Sequence, residues 1–146
     1  MSPHFTLRRL VLLVAMLAAT FALGACNRSS SPTEPLPEAI FLVDSCPHLE
    51  GERFRVLMRD SALIAEAERL IATAGQRILI GELRRGNGGF NAPWSWHLDP
   101  ATLEFADMTV EVCDGCASGV EGDLETWLNE VGSFCPWSAR FLAREQ

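Results

Sequence analysis

Cys113-Asp114-Gly115-Cys116 is a C-x-x-C, the spacing used for thiol–disulfide exchange. That chemistry needs the first thiolate at a helix N-terminus, where the dipole and free N–H groups lower its pKa. The capping pattern of the next helix begins at Ser118, five residues beyond Cys113, and no thioredoxin-like βαβ pattern surrounds it. Structural bridging is therefore the preferred reading, and a thiol–disulfide oxidoreductase using Cys113 and Cys116 is the enzymatic alternative. The same cysteines with Cys46, Cys135 and either His48 or His97 offer zinc donors, but the second close-spaced Cys or His pair of such sites is missing. No metal and no cofactor is expected.

Ser95, His97 and Asp99 have the residue types of a hydrolytic triad. On one strand, side chains at i and i+2 stand about 6.5–7 Å apart, too far for the nucleophile-to-base hydrogen bond. His97 and Asp99, with Glu111 and Asp114, could instead form a small polar site or hydrogen-bond a sheet edge and a turn; the second reading is preferred. Trp94, Trp96, Trp127 and Trp137 could stack on a sugar or a peptide. Trp96 and Trp127 fall in inward-facing patterns, so Trp94, His97, Asp99 and Trp137 are the candidate binding residues. No catalytic residue is assigned, and the absence of lysine excludes Schiff-base chemistry through a lysine side chain.

The elements that must carry these residues follow from periodicity. Ala39 to Asp44 suits a buried strand, and Arg53 to Arg59 alternates, the two joined by the turn Glu50-Gly51-Glu52. Leu63, Ile64, Ala67, Leu70, Ile71 and Ala74 fall at helical spacing, with Asp60 or Ser61 as N-cap and Gly75 just past the end. Arg77 to Leu83 reads as strand, and the glycine-rich Gly86–Phe90 stretch as a mobile loop without the lysine of a phosphate-binding loop. Trp94 to Leu98 is a strand with one aromatic face, ended by Pro100. Leu103 to Cys113 looks extended, with a bend where the apolar phase shifts between Phe105 and Ala106. A second helix, with Ser118 and Glu121 as a capping box, buries Val120, Leu124, Trp127, Leu128 and Val131 and stops at Gly132. Arg140 to Arg144 is a closing strand. The order predicts an α+β fold: a mostly antiparallel sheet packed against two helices and stapled by disulfides.

Residues 1–25 read as a leader, because Arg8 and Arg9 precede an apolar run from Leu10 to Leu23. At about 21 Å as a helix, that run is short of a roughly 30 Å hydrocarbon core. Leu23-Gly24-Ala25-Cys26 resembles the lipobox of bacterial lipoproteins, which implies cleavage before Cys26 and a membrane anchor through lipid on that cysteine. Asn27, where an aspartate usually signals retention at the inner membrane, favours the outer membrane of a two-membrane envelope. Residues 26–38 are polar and proline-punctuated, a flexible tether, and residues 39–146 are one domain. Loss of Arg8 and Arg9 moves the formal charge from −7 to −9, so nucleic acid is not an expected partner. Export permits disulfides, and without Cys26 the cysteines number an even four.

Three blocks carry a resemblance: Asn-Ala-Pro-Trp-Ser-Trp-His-Leu-Asp-Pro from Asn91 to Pro100, Glu-Val-Cys-Asp at Glu111 to Asp114, and Cys-Pro-Trp-Ser at Cys135 to Ser138. In this order and at comparable separations they resemble the N-terminal domain of the seventy-four-kilodalton calmodulin-binding protein family, over about residues 39–144. The resemblance implies a small secreted-type domain. It does not bring calmodulin with it, since that partner takes a basic amphipathic helix, whereas the second helix carries Glu121, Asp123, Glu125, Glu130 and no basic residue. Cys113 and Cys135 lie in the shared blocks and Cys46 and Cys116 outside that sharing. The resemblance thus implies the pairs Cys113–Cys135 and Cys46–Cys116, among three connectivities that four cysteines permit. The expectation is a lipid-tethered envelope module that binds an unidentified protein or small molecule and performs no chemistry of its own.

Overall fold

The apolar run Ala39–Asp44 forms strand β1, and the alternating segment Arg53–Met58 forms its antiparallel neighbour β2. Phe41 lies opposite Val56 and Val43 opposite Phe54, and all four side chains are buried. The computed structural model describes residues 37–145. The connection turns at Gly51, whose φ of +85° suits a residue without a Cβ. The other edge of β1 takes β7, Arg140–Glu145, completing an antiparallel sheet in the order β2-β1-β7.

Helix α1, Ser61–Thr73, buries Ile64, Ala67 and Leu70 and lies against β7 and β2. Asp60 caps it, Oδ1 accepting the N–H groups of Ala62 at 2.8 Å and Leu63 at 3.0 Å. At the far end, the left-handed residue is Ala74 at φ 49°, and Gly75 N–H reaches back to the Leu70 carbonyl. Gly75 is needed for a different reason: a Cβ there would lie 2.9 Å from Thr73 Oγ1 and 3.1 Å from Leu70 Cδ2. Since the left-handed conformation costs an L-residue about 1 kcal/mol, Ala74→Gly is expected to raise stability by about that amount. A urea unfolding curve with an unchanged or lower midpoint is the contrary result.

A second antiparallel sheet is built on β3, Ile78–Arg85, two residues longer than its apolar pattern suggests. It pairs with β5 (Glu104–Ala106) through Ile78–Ile80, with β6 (Ser133–Phe134) through Gly81 and Glu82, and with β4 (Trp96–Leu98) through Leu83–Arg85. The two-residue β6 is too short to leave a periodic signal. Phe54 of the first sheet meets Trp96 and Phe134 of the second, ring centroids 5.6 Å away from each. Trp96 is fully buried and its Nε1–H has no hydrogen-bond partner, a cost outweighed by the large aromatic area removed from water.

The second helix differs most from expectation. It begins at Ala117 with Cys116 as N-cap, runs as α2 to Gly122, and breaks at Asp123, where φ is −140°. It resumes as α3, Leu124–Thr126, and passes into a π-helical turn, Trp127–Val131, stopped by Gly132 at φ 76°. The expected capping box does not form, because both of its side chains are drawn to other elements. Buried Glu52 takes Ser118 N–H at 2.9 Å and Ser118 Oγ at 2.7 Å, while Glu121 binds Ser95 N–H and Oγ. A desolvated carboxylate needs donors, and a helix N-terminus supplies them. Val120 is fully buried, whereas Leu124, Trp127 and Leu128 are half-buried against the core.

The extended reading of Leu103 to Cys113 also changes. Strand pairing ends at Ala106, the chain bends at Asp107, and Glu111–Cys113 is a 3-10 turn. The bend falls within two residues of the shift in apolar phase, and beyond it Met108, Val110 and Val112 face solvent. Both cysteine pairs form as the resemblance implies, Cys46–Cys116 and Cys113–Cys135. Among the described residues no helix is long and apolar enough to cross a membrane. The leader, the lipidation site Cys26 and nearly all of the tether lie outside the described residues.

Candidate functional site

The segment from Asn91 to Pro100 is where most of the candidate side chains sit, and its first residue organises it. Asn91 is fully buried. Its Oδ1 accepts the Arg55 N–H of β2 at 2.6 Å, and its Nδ2 donates to the Trp96 carbonyl of β4 at 2.8 Å. One amide side chain thus joins main chains of the two sheets. Trp94 lies outside the strand, half-buried on Trp96, with its Nε1 donating to the Arg53 carbonyl at 2.8 Å.

Neighbouring groups of catalytic type are engaged in the same way. Ser95 is held by Glu121. His97 Nδ1 lies 2.6 Å from the Gly86 carbonyl, which can only accept, so Nδ1 carries the proton. The imidazole also meets Phe90 edge-on at 5.6 Å, and Gly88 fits beneath it because a Cβ there would come within 2.9 Å of the ring. The glycine-rich stretch is accordingly an organised turn and not a loose loop: Gly86 N–H bonds Ser95, Asn91 N–H bonds Asn87, and Asn87 Oδ1 takes Gly89 N–H.

Asp99 closes the following turn by accepting Ala101 N–H at 3.0 Å and pairs with Arg84. The Ala101 N–H and then Arg84 hold its carboxyl below the ordinary value of 3.8. A depressed carboxylate stabilises the fold above its unfolded pKa and loses that contribution as pH falls through the folded value. Acid titration of Asp99→Asn is therefore expected to show a shallower fall in stability below about pH 3.8 than the parent. Parallel acid limbs for the two proteins are the contrary outcome.

Trp137 stands apart from Trp94, His97 and Asp99, sharing no hydrogen bond, ring contact or cleft with them among the described residues. It is 39% exposed and sits on a cleft of about 370 Å³ lined also by Gln76, Arg77, Ile78, Ala106 and Asp107. Its backbone is fixed from two sides: Asp114 Oδ1 accepts its N–H at 2.7 Å, and Gln76 Nε2 donates to its carbonyl at 2.7 Å. Arg77 spans the floor, bonded to Asp107 at 3.0 Å and to Glu66 at 3.4 Å, with its guanidinium 5.8 Å from the Phe105 ring centroid. Glu66 is held down to about 2, first by Arg69 and then by Arg77, so both ends of this network stay charged at neutral pH. An aromatic ring beside amide, carboxylate and guanidinium groups can stack on and hydrogen-bond a polar ligand.

Cys113 and Cys116 do not pair with each other. Cys113 holds the 3-10 turn to Cys135, and Cys116 holds the start of α2 to Cys46 at the end of β1. Among the described residues no group of three or more His, Cys, Asp or Glu is placed to hold a metal.

The family model for the N-terminal domain of the seventy-four-kilodalton calmodulin-binding protein matches residues 37–146. The chain belongs to that family. No curated protein and no solved structure matches it. In this family domain the three shared sequence blocks have separate duties. The Asn91–Pro100 block joins the sheets, Glu111–Asp114 carries one half of a disulfide and the carboxylate under Trp137, and Cys135–Ser138 carries the other half and Trp137 itself. Asn91, Glu52 and Gln76 escape a reading of the sequence, since a lone polar residue in a turn gives no sign that it will be buried or aimed. Asn91 stands first in a shared block, which is the one available hint.

Proposed function

We propose that this protein is an exported lipoprotein, joined to a membrane by lipid on Cys26, whose folded domain binds another molecule and performs no chemistry of its own. The observation that carries the binding half is Trp137, an exposed aromatic ring on a polar cleft, in a domain whose other chemistry-bearing side chains are spent on the fold. Ser95, His97, Asp99 and all four cysteines of the domain are engaged in hydrogen bonds or disulfides. Thiol–disulfide exchange through Cys113 and Cys116 would require those two to bridge each other when oxidised. The anchoring half rests on the leader pattern and the Leu23–Cys26 motif. Residues 26–38, fully extended, reach roughly 40 Å, a leash that keeps the domain close to the membrane face and free to turn.

Each half has its own test. Metabolic labelling with an alkyne palmitate is expected to mark the wild-type chain and not Cys26→Ser, and the variant is expected to leave the membrane fraction. Normal processing and membrane retention of Cys26→Ser overturn the anchor. Tryptophan fluorescence titrated with a panel of soluble oligosaccharides and short peptides is expected to give a saturable change that Trp137→Ala abolishes. A panel without any response, or one indifferent to Trp137→Ala, overturns the cleft.

A further inference from the structure

Three large apolar side chains lie in the open on one short segment. Met108 is 86% exposed, and Val110 and Val112 are each 66% exposed. Thr109 between them turns the other way, its Oγ1 3.7 Å from Cys113 Sγ, so Met108 and Val110 share the outward face. The main-chain N–H and C=O groups of Asp107, Met108 and Thr109 make no hydrogen bond among the described residues. The segment leads directly out of β5, which is paired only with β3, and Val110 has the extended dihedrals of a strand, φ −79° and ψ 144°. Outward apolar side chains on unpaired strand-like backbone are what a docking strand requires: the backbone supplies affinity, the alternate side chains selectivity.

Charge decides the occupant. Asp107 and Glu111 flank the strip, both exposed, and Arg77 is the single cation bonded to Asp107 among the described residues. A second copy pairing antiparallel about Thr109 would set Asp107 against Glu111 twice, and like charges directly opposite are unfavourable. The whole chain carries −7, so an anionic lipid surface is repelled as well. A strand with apolar residues opposite Met108 and Val110 and arginine or lysine opposite Asp107 and Glu111 meets both requirements.

We propose that Asp107–Glu111 is a strand-docking edge for an extended segment of a partner protein in which basic residues flank alternating apolar ones. This rests on the reading of the domain as a binding module, at a surface that meets the Trp137 cleft at Asp107 but uses neither Trp137 nor the lipid.

The test uses the full-length chain in detergent micelles and a fluorescent peptide with the core Arg-Val-Thr-Val-Arg, against one with glutamate in place of each arginine. Anisotropy is expected to show saturable binding of the basic peptide, weaker by roughly tenfold or more for the acidic one. Met108→Ser combined with Val110→Ser, both at exposed positions, is expected to abolish binding without shifting the unfolding midpoint. Trp137→Ala is expected to retain it, which separates this edge from the cleft. Hydrogen exchange of the Met108 and Thr109 amides is expected to slow on adding the basic peptide. The proposal is overturned by equal binding of the two peptides, by binding of neither, or by indifference to the double substitution. It is equally overturned if the strip drives self-association in sedimentation, or vesicle binding in flotation with phosphatidylethanolamine–phosphatidylglycerol liposomes, either being lost on the double substitution.

Discussion

Replacing Cys46 and Cys116 together by alanine is expected to lower stability by about 4 kcal/mol, against about 3 kcal/mol for Cys113 and Cys135. The difference follows from the separations of 70 and 22 residues, because a longer closed loop removes more conformational freedom from the unfolded chain. Cys46–Cys116 also ties the end of β1 to the first turn of α2, where Ser45 Oγ accepts the Ala117 N–H at 2.9 Å. That turn is short and interrupted at Asp123, so it has little helical stability of its own to keep it docked. Small domains hold only about 5–15 kcal/mol in total, and the longer bridge is a large share of it. Urea unfolding of the two double variants under non-reducing conditions reads both values. Equal losses, or the larger loss at Cys113 and Cys135, contradict the ranking.

Asn91→Leu is expected to cost about 4 kcal/mol, although the two side chains are of similar size. The substitution leaves the Arg55 N–H and the Trp96 carbonyl buried without partners, each worth about 1–3 kcal/mol when orphaned. Asn91→Asp is expected to be at least as harmful, since a carboxylate can still accept from Arg55 but sets negative oxygen against the Trp96 carbonyl in a water-free place. Because the two bonds join β2 to β4, the damage is expected first at the junction of the sheets. Hydrogen exchange at the Arg55 amide should accelerate in Asn91→Leu more than exchange at Leu42, which pairs with Arg55 across β1. A destabilisation under about 1 kcal/mol would show that water or a neighbouring group replaces the amide.

The same residue shows why sequence carries some levels of this structure and not others. Strands β1, β2 and β7 and helix α1 were legible because each presents one apolar face to a single core, and that requirement writes a period of two or of 3.6 into the chain. The disulfide pairing was legible only through the family resemblance, since spacing leaves three connectivities open. Binary pattern misled where a face lacks a partner. Met108, Val110 and Val112 alternate as a buried strand would, yet nothing among the described residues covers them.

Polar side chains drew the remaining distinctions. Ser118 and Glu121 have the local pattern of a capping box, but Glu52 and Ser95, distant in sequence, take them for other bonds. His97 and Asp99 share a strand with the tryptophans, and only the folded chain commits one to the Gly86 carbonyl and the other to Ala101 and Arg84. Composition and periodicity by themselves determined the class of fold, the elements of the first sheet and the expectation of an exported, tethered domain. The tertiary structure alone decided which polar groups bridge the sheets, that Trp137 is the candidate left at a cleft, and that one apolar strip stays outside. The physical reason is that burial of apolar area is non-directional and summed over many residues, so a pattern records it. A hydrogen bond depends on two particular atoms meeting at about 3 Å, and that meeting exists only once distant segments have been brought together.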